Sequence, residues 1–258
     1  YKLILFSNLK FHPIFKKLSP DFWQVFSLYP SSSLLYKFIN VFHTKFTHKY
    51  YHSSQKLQHF KDGKININQR IRKYFLKFNV DLMIYPTSNT LSFETKIPYI
   101  FTIHDLNHRI YHEFPEVSAK KEWEAREYSF QNGIRNALYV LVDSEIGKQD
   151  VLRFYPDCVG DPEKIKVLPF LPASYLETKI SRKIIKEVRN KYKLPVKYLF
   201  YPARFWPHKN HLRIIEALGL IKKKNNLDIP IILCGSHTGK IRENTFKNVM
   251  VQADKLGI

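Results

Sequence analysis

The chain has 258 residues, with 42 Lys and Arg against 22 Asp and Glu, a formal charge of +20, 44% hydrophobic residues and 15% aromatic ones. That apolar content is enough for a packed core and excludes wholesale disorder, and at about 150 residues per domain the length suggests two units. Two cysteines, Cys158 and Cys234, are too few for a disulfide framework and lack the paired spacing of a zinc site, and no apolar run approaches the roughly 20 residues of a membrane-spanning helix.

Tyr1–Ser7 reads as an internal strand and does not start with Met, so the beginning of the protein is expected to be missing. Residues 1–80 carry fourteen Lys and Arg, with only Asp21 and Asp62 as acids. Such a field attracts polyanions: nucleic acid, anionic lipid or phosphorylated substrates. AT-rich coding accounts for the same bias. Within this region residues 36–79 are helical, aromatic and basic, and the least legible part of the chain.

From Asp81 onward short apolar strands alternate with longer amphipathic stretches. Strands are predicted at Asp81–Tyr85, Pro98–Ile103, Ala137–Val142, Lys164–Leu168, Tyr198–Tyr201 and Ile229–Cys234. Helices are predicted over Glu122–Asn136, Ser144–Tyr155, Lys209–Lys224 and Arg242–Leu256, with Asp143 or Ser144 placed to cap the second, and Ile180–Tyr192 is a basic amphipathic stretch. Strands that read as continuous apolar runs between helices indicate parallel sheets covered on both faces. The fold class is therefore α/β, of the doubly wound kind. The Pro169 and Pro172 loop marks a boundary, giving a first domain over 1–175 and the start of a second over 176–258. Two strands and two helices are short for a doubly wound domain, so the C-terminus is expected to be cut as well.

Three strand ends carry candidate chemistry. Tyr201-Pro-Ala-Arg204-Phe-Trp-Pro-His-Lys209-Asn210 follows a strand and opens a helix, the place where open α/β sheets bind anions. Arg204 can fork onto phosphate oxygens while Lys209 adds a compact charge, although a solvated loop with two ordinary cations fits the pattern too. Pro98–Leu106 delivers His104 and Asp105 at a strand's C-terminal edge, one to hydrogen-bond a substrate hydroxyl and the other to orient its partner or the loop. A satisfied loop histidine is the plainer reading. Leu141-Val-Asp143-Ser144-Glu145 places a hydroxyl where a strand turns into a helix, and capping alone explains Ser144. His104, His108 and His112 recur every four residues, but without a His-Glu-x-x-His arrangement no metal site is expected. Cys234-Gly235-Ser-His-Thr-Gly239-Lys240 is one residue short of a Walker A loop, and Ile241 stands where Ser or Thr is needed, which excludes a nucleoside triphosphatase of that type.

Taken together, these residues resemble family 4 glycosyltransferases, retaining nucleotide-sugar enzymes of the GT-B fold, in a bacterial form. The resemblance runs from about Asp81 onward. It takes in Ile103-His104-Asp105-Leu106, Phe114-Pro115-Glu116, Val142-Asp143-Ser144-Glu145, Glu163 to Pro169, Arg204 with Lys209-Asn210, and the Leu233-Cys-Gly235 strand end. It implies two Rossmann-like domains with parallel sheets, the acceptor bound by the first and the donor by the second. Arg204 and Lys209 match the pair that holds the donor's diphosphate, His104 matches the residue approaching the transferred sugar, and Asp105 shapes its loop. Ser144 and Gly235 match possible donor or acceptor contacts. The substrates implied are a nucleotide-sugar donor, with a hexose such as mannose, and a saccharide or lipid-linked acceptor of cell-surface polysaccharide or glycolipid. No cofactor and no metal is expected. The implied location is cytoplasmic, peripheral on the inner face of the cell membrane, with residues 36–79 against anionic lipid.

Two features depart from the family pattern. Its Gly-rich loop near the N-terminus is absent. Its Glu-x7-Glu pair belongs in the second domain, whereas Glu116 and Glu124, which have that spacing, lie in the first and are read as a coincidence. The true pair is expected beyond Ile258, which makes the chain an incomplete enzyme. The alternatives are a catalytically inactive relative and a basic nucleic-acid-binding protein. Against the second, no helix-turn-helix, zinc finger or RNA-recognition signature is present, so no nucleic-acid partner is expected.

Overall fold

The computed structural model describes residues 3–7, 23–27, 65–172 and 179–258. The chain forms two compact units, Tyr1–Lys64 and Ile65–Ile258. In the first, β1 (Leu3–Ser7) pairs in parallel with β2 (Trp23–Ser27), Leu3 opposite Trp23 and Ser7 opposite Ser27. The opening strand lies where it was expected, and β2 had not been foreseen. Most of the basic segment 36–79 falls outside the described residues.

The second unit begins with α1 (Gln69–Leu76), whose first turn is capped by the Asn68 side chain accepting from the Ile71 amide at 3.1 Å. Then follow β3 (Met83–Tyr85), α2 (Leu91–Glu94), β4 (Tyr99–Ile103), α3 (Asn107–Ile110), α4 (Pro115–Ser118), α5 (Glu122–Asn136), β5 (Tyr139–Val142), α6 (Glu145–Phe154), α7 (Pro156–Val159) and β6 (Ile165–Val167). Strands β3, β4, β5 and β6 form one parallel sheet in that order. Continuous apolar sequence in β4 answers to cover on both faces: Tyr99, Phe101 and Ile103 are buried on one, and Thr102 is buried and Ile100 half-buried on the other.

Helix α5, found over the residues predicted, lies close across β4. A Cβ at Gly133 would sit 2.4 Å from Cζ of Phe101, so only glycine allows this approach. The Tyr99 hydroxyl donates to the Gly133 carbonyl at 2.8 Å, which fastens helix to strand. Phe101, Phe130, Ile134, Val140, Val142, Val151 and Ile165 fill the core around this contact.

Beyond residues 173–178, which are not described and which adjoin the expected boundary, come α8 (Arg182–Lys191), β7 (Leu199–Pro202), α9 (His211–Asn225), β8 (Ile231–Cys234) and α10 (Lys240–Leu256). Strands β7 and β8 pair in parallel as a separate sheet, with Phe205, Ile215, Val249 and Ala253 as its core. The three sheets among the described residues are all parallel and the class is α/β, as the alternation predicted. Among the described residues, strand order follows chain order within each sheet, so the reversal that defines double winding occurs in none of them. No helix among the described residues is long and apolar enough to cross a membrane.

Candidate functional site

Parallel strands place the residues after their C-terminal ends side by side. Ile103 of β4 lies opposite Val142 of β5, so His104 and Asp143, each one residue further, meet at the same edge. His104 Nδ1 is 3.2 Å from both carboxylate oxygens of Asp143, and Nε2 donates to the Pro86 carbonyl, just past β3, at 2.8 Å. Phe170, past β6, stacks on the imidazole with centroids 5.5 Å apart and planes 25° from parallel. All four strands of this sheet thus send one residue to the same spot. The stacked Phe170 remains 74% exposed and Leu171 86%, leaving an apolar surface beside the histidine.

Asp105 stands elsewhere. Its Oδ1 accepts from the Asn107 amide at 3.0 Å and from Arg126 Nη1 at 3.1 Å, which orders the turn into α3. The carboxylate facing the imidazole is therefore Asp143, a residue that sequence reasoning treated only as a cap. Ser144 does cap α6, its Oγ accepting from the Gly147 amide at 3.1 Å. The three histidines at four-residue spacing separate: His104 joins Asp143, while buried His108 donates from Nε2 to Glu127 at 2.8 Å. Among the described residues no group of three His, Cys, Asp or Glu is arranged to hold a metal ion.

The second cluster is the turn from Ala203 to Asn210, between β7 and α9. Both Arg204 and Lys209 are exposed, and neither side chain has a hydrogen-bond or ion-pair partner among the described residues. The turn beneath them is held at several points. A Cβ at Gly235, past the end of β8, would stand 2.1 Å from the Ala203 carbonyl oxygen, so the backbone carrying Arg204 crosses directly over this glycine. The Phe205 amide donates to the Ser236 carbonyl at 3.2 Å, and the Tyr201 hydroxyl donates to the Lys209 carbonyl at 2.7 Å.

His211, the first residue of α9, is buried and donates from Nε2 to the Ala203 carbonyl at 3.3 Å. Its ring stacks on Phe205, with centroids 4.4 Å apart. Burial lowers the pKa of His211 below its ordinary 6.5, which favours the neutral ring. Arg242 lies 4.7 Å over the Trp206 ring. From the other side, Glu116 of α4 reaches His208, its Oε1 2.6 Å from Nδ1 and accepting from the backbone amide at 3.2 Å. The neighbouring Gly239 loop is occupied by the protein itself: its amide donates to Glu243 at 3.0 Å.

No family model matches the chain, and no curated protein matches it. Solved structures do. A glycosyltransferase from Rickettsia africae superposes with a TM-score of 0.56 at 16% identity, covering 100% of this chain and 57% of that one. Anabaena HepE, solved in complex with UDP and glucose, superposes with a TM-score of 0.52 at 15% identity, covering 91% of this chain and 53% of that one. The chain thus spans little more than half the length of either structure. At such identity the likeness is one of fold: a mixed α/β chain with parallel sheets, as in the glycosyltransferase.

Proposed function

We propose that the chain is part of a retaining glycosyltransferase of family 4, which moves a hexose from a nucleotide-sugar to a saccharide or lipid-linked acceptor. Residues up to about 175 would carry the acceptor side and 176–258 the start of the donor side. The observation that carries this reading is the pair of exposed cations, Arg204 and Lys209, unpartnered among the described residues, on a turn held by Tyr201, His211 and Glu116. Departure of a nucleoside diphosphate builds negative charge on its bridging oxygen. Fixed cations stabilise that charge in the transition state without reorganising and without a metal. Retention follows from attack on the same face of the sugar, with the departing phosphate taking the acceptor's proton, so no carboxylate nucleophile is needed.

His104 has both nitrogens engaged within the protein, so a sugar hydroxyl reaching the ring would take the place of the Pro86 carbonyl at Nε2. Asp143, at Nδ1, would hold the ring during that exchange. The setting proposed is the inner face of the cell membrane, in synthesis of surface polysaccharide or glycolipid. The basic segment 36–79 supports it, as does α8, where Arg182, Lys183, Lys186, Arg189 and Lys191 border half-exposed Ile184, Ile185 and Val188.

Titration with UDP-, GDP- and ADP-sugars tests the donor assignment. One of them should bind, and Arg204→Ala and Lys209→Ala should each weaken it tenfold or more, about 1.4 kcal/mol. Undiminished affinity in both variants would refute the diphosphate role. In a chain that turns over, Lys209→Ala should also slow transfer by about 10²–10³, the scale of one lost charge-stabilising donor. A salt-titrated gel shift addresses the nucleic-acid alternative: binding that survives physiological salt would favour it.

A further inference from the structure

Glu116 makes the polar contact between the α4 segment and the turn that carries the two cations. Its side chain is only 6% exposed. One oxygen, Oε1, takes both the backbone amide and Nδ1 of His208, while Oε2 is buried with no hydrogen-bond partner among the described residues. The Phe114 ring stands 6.2 Å from the imidazole and closes the contact. A buried carboxylate with one oxygen unsatisfied is a poor stabilising device, because burial cost is met by only half of its acceptors. What it does supply is position. His208 is the middle residue of the 3-10 turn Pro207–Lys209, and fixing its amide and its ring together fixes the direction of that turn. On the opposite side the Tyr201 hydroxyl holds the carbonyl of the next residue, Lys209.

We infer that Glu116 is a positioning residue for anion binding: by gripping His208 it orients the turn whose Arg204 and Lys209 take a diphosphate. The inference rests on the donor-binding role proposed for those two cations. It makes a counterintuitive prediction, since electrostatics alone has the opposite sign. A carboxylate near an anion site repels the anion, so its neutralisation should tighten binding. If Glu116 acts by positioning, neutralisation loosens binding instead.

The experiment is a calorimetric titration of the full chain with inorganic pyrophosphate at fixed ionic strength, on wild type and six variants. Arg204→Ala and Lys209→Ala report on the underlying reading, and each should lose at least tenfold in affinity. Glu116→Gln should lose roughly fivefold despite removing a negative charge, on the scale of one neutral for one charged hydrogen bond. Glu116→Asp, which keeps the charge but withdraws the carboxylate, should lose a similar factor. His208→Ala should match them, and the Glu116→Gln, His208→Ala double variant should be no weaker than either single one. Equal or tighter binding by both Glu116 variants, with the two cation variants weakened, overturns the positioning role and leaves the donor reading standing. Unchanged binding in the cation variants overturns the donor reading, and the inference falls with it.

Discussion

Two buried glutamates on neighbouring helices show how differently the same side chain can be used. Glu127 on α5 is surrounded by donors: His108 Nε2 at 2.8 Å, Arg109 through Nε at 2.6 Å and also through Nη2, the Tyr155 hydroxyl at 2.7 Å, and Gln131 at 3.0 Å. Both oxygens are satisfied and a cation is adjacent. Burial pushes its carboxyl upward, but the bonds from His108, Arg109 and Tyr155, with the Arg109 charge, hold it at about 2 against an ordinary 4.5. Among the described residues Glu116 on α4 has one hydrogen-bonding partner, His208, and one unused oxygen. A saturated carboxylate ties its own layer together, and a half-satisfied one reaches across to a different sheet. Stability should therefore follow Glu127, and ligand affinity Glu116.

Replacing each in turn is the strongest way to break that contrast. Glu127→Ala strands Arg109 and the fully buried His108, and breaking a buried pair on one side costs about 3–5 kcal/mol. Glu116→Ala removes two bonds to one residue and relieves an unpaired oxygen, so it should cost about 1 kcal/mol. Urea unfolding of the two variants measures the gap, and comparable losses would erase the distinction. Acid sharpens it. Because the folded state holds Glu127 well below 4.5, its contribution is complete above that pH and disappears as pH falls toward 2. Wild type should lose stability through that window more steeply than Glu127→Ala.

Two glycines extend the comparison at a smaller scale. A methyl at Gly133 meets the buried Phe101 ring, a side chain, whereas one at Gly235 meets the backbone of Ala203 and Arg204. Overpacking of this kind costs about 1–3 kcal/mol. For Gly133→Ala, adding Phe101→Leu should recover part of the loss in thermal unfolding, because the obstructing atoms have been withdrawn. For Gly235→Ala no side-chain truncation helps, and the loop bearing Arg204 must move, so weakened nucleotide-sugar binding should accompany the lost stability. Full affinity in a stable Gly235→Ala protein would contradict the close crossing seen between β8 and that loop.

What could be read from the chain follows the range of the interactions concerned. Helix α5 was legible because its apolar positions and flanking signals are local, and so was the Ser144 cap, a contact across three residues. The cores of six strands were legible as apolar runs; five came out shorter than predicted, and β7 kept its length but starts one residue later. The four-residue helices at Leu91, Asn107, Pro115 and Pro156 are too short to show a period. The partner of His104 was missed for a different reason. Asp105 is adjacent in sequence, whereas Asp143 is adjacent only through the register of β4 on β5, which no local pattern reveals. The spacing of Glu116 from Glu124, a coincidence on the sequence reading, gives no hint of its contact: Glu124 is exposed, and Glu116 meets His208, 92 residues away.

The smallest expected effect concerns His211, which supports the cation-bearing turn from within. Its ring is buried between Phe205 and Tyr201, and burial disfavours the charged form, with the bond to the Ala203 carbonyl opposing that only in part. A base whose pKa is lower folded than unfolded binds its proton more readily in the unfolded chain. Its contribution is therefore complete above the ordinary 6.5 and declines as pH drops below that value. This window opens before the acid range in which Glu127 is protonated, so the two groups can be separated by pH. Between pH 7.5 and 5.5 wild type should lose stability that His211→Gln does not lose, because only the wild-type ring must give up its burial to take a proton. Denaturant midpoints at several pH values measure it. Parallel pH profiles for the two proteins would mean that the imidazole accommodates its proton where it stands, and that the turn above it does not depend on a neutral ring.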